Sequence, residues 1–293
     1  MKKILAIILA ALMCMTLFAA CTNTAENENN DVLADAGSKA ENVPATESDT
    51  EPESTPAESD LEAIKARGTI VVGITDFAPM DFKDEEGNWI GFDADMAKAF
   101  AEYLGVEVQF QEIEWDNKVL ELNSGAIDAV WNGMTLTEEV KAAMECSNAY
   151  CNNAQVVILP ADKAENYADT ASMADLLFAV EAGSAGEAEA VTNGFATTPV
   201  VDQATALLEV STGNADAAVI DSLMAGAMVG EGTDYASLTY TIGLNSEEYG
   251  VGFRKGSDAA AALNAFFVES YADGSMMEMA ETYGVQAAVI AQY

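Results

Sequence analysis

Short apolar strands alternate with amphipathic helices along most of this chain, and this order constrains its fold more than any other feature. Segment 69–74 is a continuous run of mostly β-branched residues, which is typical of a strand buried on both faces. Segment 92–104 then carries apolar residues at helical spacing up to Gly105, and segment 106–113 alternates as a second strand. Strand, helix and strand in this order predict an α/β fold whose sheets are largely parallel.

The second half of the chain repeats this rhythm, so we expect two lobes. Its predicted strands are 155–159, 177–180, 199–201, 217–221 and 249–253, and its predicted helices follow Gly186 and cover 204–210, 259–269 and 276–283. In such sheets ligands bind beyond the carboxyl ends of strands, and often between domains. The loops after these strands are therefore the candidate binding region.

Segment 126–141 is interpreted as the end of a strand, a tight polar turn and the start of a helix. Gly133 lets the backbone approach a neighbour closely, and Thr137 can cap the helix. A turn of this kind presents backbone N–H groups beside hydroxyls, so Asn132, Gly133 and Thr135 are candidate ligand contacts. The alternative is an ordinary connection between a strand and a helix.

The first 60 residues predict export and a tether. Residues 1–20 combine two lysines, an apolar core too short to span a bilayer and small residues before Cys21, which is the pattern of a secretory signal. Segment 17–21 resembles a lipoprotein box, so we expect a lipid on Cys21 that anchors an extracytoplasmic protein to the cell membrane. The alternative is a plain secreted protein. The rest of segment 21–60 is polar and acidic, and we predict a disordered tether.

The composition argues against several classes of function. The net charge of −37 disfavours nucleic acid or an anionic lipid surface as a direct partner. The sequence has no histidine, phosphate-binding loop, nucleophile elbow or Cys-x-x-Cys motif, so we expect no metal, no cofactor and no enzymatic activity. Cys146 and Cys151 are interpreted as free buried thiols, with a small-loop disulfide as the alternative.

A series of short motifs, each weak alone, follows in a specific order and spacing between about residues 61 and 285. In chain order they are Val72-Gly73-Ile74-Thr75, Phe77-Ala78-Pro79, Gly91-Phe92-Asp93-Ala94-Asp95, Leu104-Gly105-Val106, Trp115, 122–129, 133–137, Gly183-Ser184, 213–217, Asp221 and 249–256. Together they resemble the extracellular solute-binding proteins of ABC importers for polar amino acids, known as family 3.

The resemblance implies the two-lobe type II periplasmic-binding fold. Lobe 1 would comprise 61–154 plus 252–293 and lobe 2 would comprise 155–251, with hinges near Gln155 and Gly250. A protein of this kind works as a monomer. It closes on a small solute by a hinge motion and presents that solute to an ABC permease in the membrane.

The resemblance also implies ligand contacts in lobe 1. Phe77 and Trp115 would sandwich the ligand, and Asp76 would lie beside them. Gly133 and Thr135 would offer a backbone and a hydroxyl donor to the α-carboxylate of an amino acid.

Lobe 2 would close the site from the other side. Ser184 and Ala185 would add donors, and Asp221 would bind the α-ammonium group. Glu181 lies just before this glycine-serine motif and adds another negative charge near the cleft.

One position departs from the family pattern. Members carry an arginine three residues after the equivalent of Thr137, and it holds the ligand carboxylate through two hydrogen bonds. Here that position is Val140. Lys141 is next in the chain, but one helical step is about 100° of rotation, so we expect it to point away. The two arginines of the chain, Arg67 and Arg254, lie at other positions.

Two ligand hypotheses therefore stay open. The first ligand is an amino acid whose carboxylate relies on neutral donors. The second is a cationic amine or quaternary ammonium solute without a carboxylate, held by aromatic and acidic side chains, with Trp131 as a further aromatic candidate. Some dehydratases resemble the same fold, so an enzyme that uses Asp221 or Glu181 for acid–base chemistry is a third alternative.

Overall fold

The structure is a computed structural model that describes residues 59–293. The predicted signal segment, Cys21 and nearly all of the tether lie outside the described residues. Along the described chain the helices are α1 Asp60–Arg67, α2 Phe92–Leu104, α3 Lys118–Ser124, α4 Glu138–Ala143, α5 Ala185–Thr192, α6 Gln203–Thr212, α7 Ser222–Met228, α8 Ala259–Asp273 and α9 Ser275–Thr282. Short 3-10 turns cover Trp115–Asn117, Ala164–Asn166 and Thr170–Met173.

The strands form two main sheets and one small hairpin. They are β1 Thr69–Ile74, β2 Phe82–Lys83, β3 Trp89–Ile90, β4 Glu107–Glu112, β5 Ala129–Thr135, β6 Met144–Cys146, β7 Cys151–Asn153, β8 Gln155–Pro160, β9 Leu177–Glu181, β10 Ala196–Val200, β11 Ala217–Asp221, β12 Leu238–Gly243 and β13 Glu247–Arg254. The first sheet has the order β4-β1-β5-β13-β6, with β7 also paired to β13, and the second has the order β10-β9-β11-β8-β12. We call the parts built on these sheets lobe 1 and lobe 2.

Each sheet is mixed rather than mainly parallel. In lobe 1, β1 runs parallel to β4 and β5, whereas β13 runs antiparallel to β5, β6 and β7. In lobe 2, β9, β10 and β11 are parallel, whereas β8 is antiparallel to both β11 and β12. The antiparallel pairs arise because the chain crosses between the lobes and the crossing strands enter each sheet in the opposite direction.

The chain crosses between the lobes at two places. β7 ends at Asn153 in the first sheet and β8 begins at Gln155 in the second, so the first crossing lies at Ala154, beside the hinge expected near Gln155. β12 ends in the second sheet at Gly243 and β13 begins in the first at Glu247. The predicted lobe boundary between 251 and 252 therefore falls inside β13 and is corrected to 244–246. The apolar run of β13 signals a strand but does not say which sheet receives it.

Strand β5 is longer than the sequence suggested. The segment 132–135 was expected to be a turn, but it continues the strand beside β13. The register shifts there, because Met134 pairs with Gly250 while Val130 pairs with Gly252. Gly133 sits in this irregularity with a φ of 55°, and a Cβ atom on it would lie 2.3 Å from the Phe77 ring. The glycine therefore permits a bulge and close ring packing.

Cys146 and Cys151 are free thiols in this structure, as expected, but the expected burial of Cys146 is wrong. Cys151 is buried and Cys146 is partly exposed. Cys146 pairs with Gly252 and Cys151 with Tyr249 along the same edge of β13. Three residues of strand place the two positions about 10 Å apart, which is beyond the reach of a disulfide.

Within residues 59–293, every helix is too short or too polar to cross a lipid bilayer.

Candidate functional site

A cavity of about 660 Å³ lies between the two lobes. Lobe 1 lines it with Trp115, Asp116, Lys118, Val119, 132–135, Thr137, Glu139, Val140 and Ala143, and lobe 2 lines it with Glu181, 183–185, Glu187, Ala188, Val191, Gln203 and Asp221. Glu181 and Asp221 are the last residues of β9 and β11, which are neighbouring parallel strands. The carboxyl ends of the lobe 2 strands therefore face the cavity, as the sequence predicted.

Asp221 is buried, and protein groups already satisfy its carboxylate. One oxygen accepts hydrogen bonds from the Tyr249 hydroxyl at 2.6 Å, from the Gln155 amide at 3.1 Å and from the Asn153 amide. The other oxygen accepts from the Gln203 amide. Burial, and then the charge of Glu247, raise the pKa of Asp221 to about 7, although the hydrogen bonds oppose that shift.

Glu181 presents the opposite situation. It is 3% exposed, and among the described residues its Oε1 atom has no hydrogen-bond partner. Burial raises the pKa of Glu181 to about 8, and the charges of Asp221 and Asp202 add to that effect. A buried carboxyl with an unused oxygen at a cavity wall can receive a donor or a cation from a ligand.

The lobe 1 wall beside α4 is apolar. Trp115 opens the 3-10 turn before α3, and Val140 lies in the middle of α4. Both belong to one buried cluster with Met134 and Met144. At the position where the family pattern has an arginine, this chain therefore presents methyl groups to the cavity.

Lys118 lines the cavity and was not predicted from the sequence. It is the first residue of α3 and is only 9% exposed. Its ammonium group donates to the Trp115 carbonyl at 3.0 Å and, across the lobe boundary, to the Gly183 carbonyl at 2.9 Å. The ammonium also lies 4.8 Å from the centre of the Trp115 ring, within the range of a cation–π contact. Burial lowers the pKa of Lys118, and the charge of Glu181 acts in the other direction.

The arginines and Lys141 lie outside the cavity. Arg67 and Arg254 both bind the buried carboxylate of Asp128, the second at 3.3 Å, and Arg254 also reaches the Ile127 carbonyl at 2.9 Å. Lys141 points away, as predicted, and lies 3.5 Å from Glu138. Lys118 is therefore the one cationic side chain that lines this cavity within the described part of the chain.

Phe77 and Asp76 are not among the residues that line the cavity. The Phe77 ring is buried and packs edge-on against Tyr249, with ring centres 6.3 Å apart. The Asp76 residue is exposed overall, but its carboxyl is partly shielded from water, and this partial burial, followed by the charge of Asp202 in lobe 2, raises the pKa of Asp76. Trp131, the further aromatic candidate, is also a core residue, in edge contact with Phe267. The aromatic sandwich implied by the resemblance is therefore reduced to Trp115.

The expected lobe 1 donors line the cavity but already have partners. The Gly133 N–H donates to the buried Asp93 carboxylate at 2.7 Å, and the Thr135 hydroxyl donates to Glu247 at 2.9 Å. Asn132 accepts from the Thr75 N–H and donates to its hydroxyl, both at 2.8 Å. These groups shape the wall, and the expectation that the Gly133 N–H serves a ligand is corrected for this conformation.

The expected lobe 2 donors face the cavity at the start of α5. The Ser184 hydroxyl caps the helix by accepting from the Glu187 N–H at 3.1 Å, which leaves its own hydrogen free to donate. Ala185 follows as the first residue of the helix and also lines the cavity. The first N–H groups of a helix suit an anion, so this edge favours a carboxylate.

Residues 70–286 match the sequence profile of the bacterial extracellular solute-binding proteins, family 3. The chain is 26% identical over 227 residues to the L-cystine-binding protein TcyJ of Escherichia coli, which covers 76% of this chain and 85% of the relative.

Two solved structures are similar over nearly their whole length. One is an ABC uptake transporter substrate-binding protein from Streptococcus pneumoniae with bound histidine, at 28% identity and a TM-score of 0.71, covering 78% of this chain and 98% of that one. The other is an ancestral amino-acid-binding protein described as a precursor of cyclohexadienyl dehydratase, at 31% identity and a TM-score of 0.71, covering 77% of this chain and 99% of that one.

Proposed function

Because the chain belongs to the bacterial extracellular solute-binding proteins, family 3, we propose that it is the substrate-binding component of an ABC importer. It captures an amino acid between its two lobes and delivers it to a membrane permease. The relatives that bind cystine or histidine support an amino acid as the solute class.

The cavity between the lobes carries this proposal. Its volume of about 660 Å³ lies within the range of small-molecule sites, which is about 300–1,000 Å³. Both lobes contribute polar groups to it, and hinge closure around a solute needs such a shared site. The crossings at 154 and 244–246 are the proposed hinges.

The charges of the cavity favour an amino acid with a basic side chain. Asp116, Glu139, Glu181, Glu187 and Asp221 line it together with one lysine. We assign an ammonium or guanidinium group of the ligand to Glu181, whose Oε1 atom has no partner in the described part of the chain, and an apolar contact to Trp115. Asp221 shapes the site from beneath, and Ser184 and Ala185 donate from lobe 2.

Thermal-shift screening followed by calorimetric titration tests this function. The panel contains the twenty amino acids together with choline, a quaternary ammonium compound without a carboxylate. A solute that binds the folded state raises the melting temperature, and we expect the largest rise with a basic amino acid. If only choline raises the melting temperature, the solute belongs to the second ligand class and not to the amino acids. If no compound of the panel raises the melting temperature, both ligand hypotheses are contradicted.

Anchoring and location extend the proposal. The protein acts outside the cytoplasm as a monomer attached to the cell membrane through a lipid on Cys21. In cells that express the full chain, Cys21→Ala is expected to move the protein from the membrane fraction to the soluble fraction. An unchanged distribution would contradict the anchor. Size-exclusion chromatography with light scattering of segment 59–293 tests the monomer.

A second candidate is a dehydratase-like enzyme on the same fold. It is favoured by Glu181, because burial raises its pKa to about 8 and a carboxyl that keeps its proton near neutral pH could serve as a general acid. Mass spectrometry of the bound solute distinguishes the two functions. A carrier returns the solute unchanged, whereas a dehydratase returns a product lighter by one water.

A further inference from the structure

Among the described residues, Lys118 is a buried cation without a carboxylate partner. No carboxylate oxygen of the described residues lies within 4.0 Å of its ammonium group, whereas Lys83, Lys98 and Lys255 each pair with an acid. An ammonium group taken out of water without an anion is costly, and it persists where something compensates for the lost hydration. Its two carbonyl partners compensate for part of that cost.

The hydrogen bonds of Lys118 leave one donor unused. A lysine ammonium has three N–H groups. Two point to the carbonyl oxygens of Trp115 and Gly183, and the third has no acceptor among the described residues. Because the residue lines the cavity, this third donor is available to a bound molecule, and its natural partner is an anion.

The position of the ammonium is fixed from both lobes. The Trp115 carbonyl belongs to lobe 1 and the Gly183 carbonyl to lobe 2, so the full set of contacts exists only when the lobes meet. Contact there is close, because a Cβ atom on Gly183 would lie 2.7 Å from Asp116. The Ser184 hydroxyl and the first N–H groups of α5 follow directly and face the same cavity.

We propose that Lys118 binds the carboxylate of the captured amino acid, and that its hydrogen bond to Gly183 holds the ammonium in place for that contact. This inference rests on the proposed function and refines it. The solute then carries a free carboxylate at Lys118 and a cationic group at Glu181, which describes an amino acid rather than its decarboxylated amine.

Three matched pairs of ligands and two variants test this role. The pairs are L-arginine with agmatine, L-lysine with cadaverine and L-histidine with histamine, and calorimetry gives each Kd. Lys118→Met removes the charge and the donors. Lys118→Gln removes the charge but keeps an amide that can donate to the Gly183 carbonyl, so it separates charge from the link between the lobes. Melting curves show that each variant is folded.

We expect the wild-type protein to bind at least one amino acid more tightly than its amine. Both variants should raise the Kd for that amino acid by about 10- to 100-fold, which is the effect of one charge-assisted contact. The Kd for the amine should change by less than about threefold. If the variants lose the same affinity for the amino acid and its amine, or lose no affinity for either, the role of Lys118 is overturned and the proposed function stays intact. A wild-type protein that binds none of the three amino acids overturns the basic amino acid as the solute, and this role of Lys118 with it, whereas the proposed function fails only if the whole amino acid panel gives no binding.

Discussion

Glu181→Gln is expected to flatten the dependence of stability on pH. In the folded protein the pKa of Glu181 rises from 4.5 to about 8 because the group is buried. Below pH 4.5 both the folded and the unfolded chain hold the proton, so this group adds no pH dependence. Between 4.5 and about 8 the unfolded chain releases the proton while the folded chain keeps it. The free energy of unfolding therefore falls as the pH rises, and the loss is complete above about pH 8.

The size of the effect follows from that shift. One pKa unit corresponds to about 1.36 kcal/mol, so the full loss is about 5 kcal/mol above pH 8 and about 3 kcal/mol at pH 7. A glutamine cannot ionise and does not incur this loss. Relative to the wild-type protein, the variant should gain about 3 kcal/mol between pH 4 and pH 7, and about 1 kcal/mol more by pH 9. If the new amide itself changes the free energy of unfolding by the same amount at every pH, this gain between two pH values is unaffected.

Urea unfolding of ligand-free protein at pH 4, 5, 7 and 9 measures the difference. Bound solute must first be removed by unfolding and refolding, because a ligand would add its own stabilisation. Glu85→Gln is the matched control, since Glu85 is exposed in the turn between β2 and β3. It should give a difference that stays within about 0.5 kcal/mol at every pH. A Glu181→Gln profile parallel to the wild-type profile would refute the buried, protonated state of this carboxyl.

Three further changes probe closure, the scaffold and the carboxylate pattern. Gly183→Ala places a Cβ atom 2.7 Å from Asp116, so it should hinder closure and weaken ligand binding at least about tenfold. Gly213→Ala is the control, because Gly213 has a similar φ but no described neighbour within 4 Å, and it should leave the Kd unchanged. Equal Kd values for the two variants would contradict closure at this contact. Asp128→Asn should lower the free energy of unfolding by about 2–4 kcal/mol. The lower figure is expected because Arg67, one of the two partners of Asp128, is 46% exposed. The Kd for the ligand, measured by calorimetry, should stay unchanged. Val140→Arg should increase the preference for amino acids over amines about tenfold in the same titration, and a stronger preference for amines would contradict the placement of residue 140 in the cavity wall.

Local patterns predicted the fold well because they are set by neighbouring residues. The β-branched run gives β1 with the predicted bounds, and Gly105 ends α2 in the left-handed conformation. The second crossing was misplaced because Tyr249 and Phe253 would be buried in either sheet. Strand β12 has an irregular register against β8 and was not predicted.

The site was harder to predict, because it depends on which hydrogen bonds are already made. The sequence shows that Gly133 can approach a ligand, but it does not show that Asp93 takes its N–H. It also places Phe77 after a strand, where packing against Tyr249 competes with ligand contact. Lys118 follows Trp115 by three residues, and that helical spacing puts both on one face. This spacing was the available signal for the missing cation.

The two carboxyls at the strand ends have different roles because their hydrogen bonds differ. Asp221 accepts from Asn153 and Tyr249 of lobe 1 and from two amides of lobe 2, so its charge joins the lobes at the hinge without a ligand. Within residues 59–293, Glu181 in lobe 2 keeps an oxygen without a partner, and Lys118 in lobe 1 keeps a donor without one. A zwitterionic solute that satisfied both would connect one lobe to the other through its own charges. Closure and binding would then share the same free energy, and a solute lacking either charge would leave one of these buried groups unpaired, which is the costly outcome.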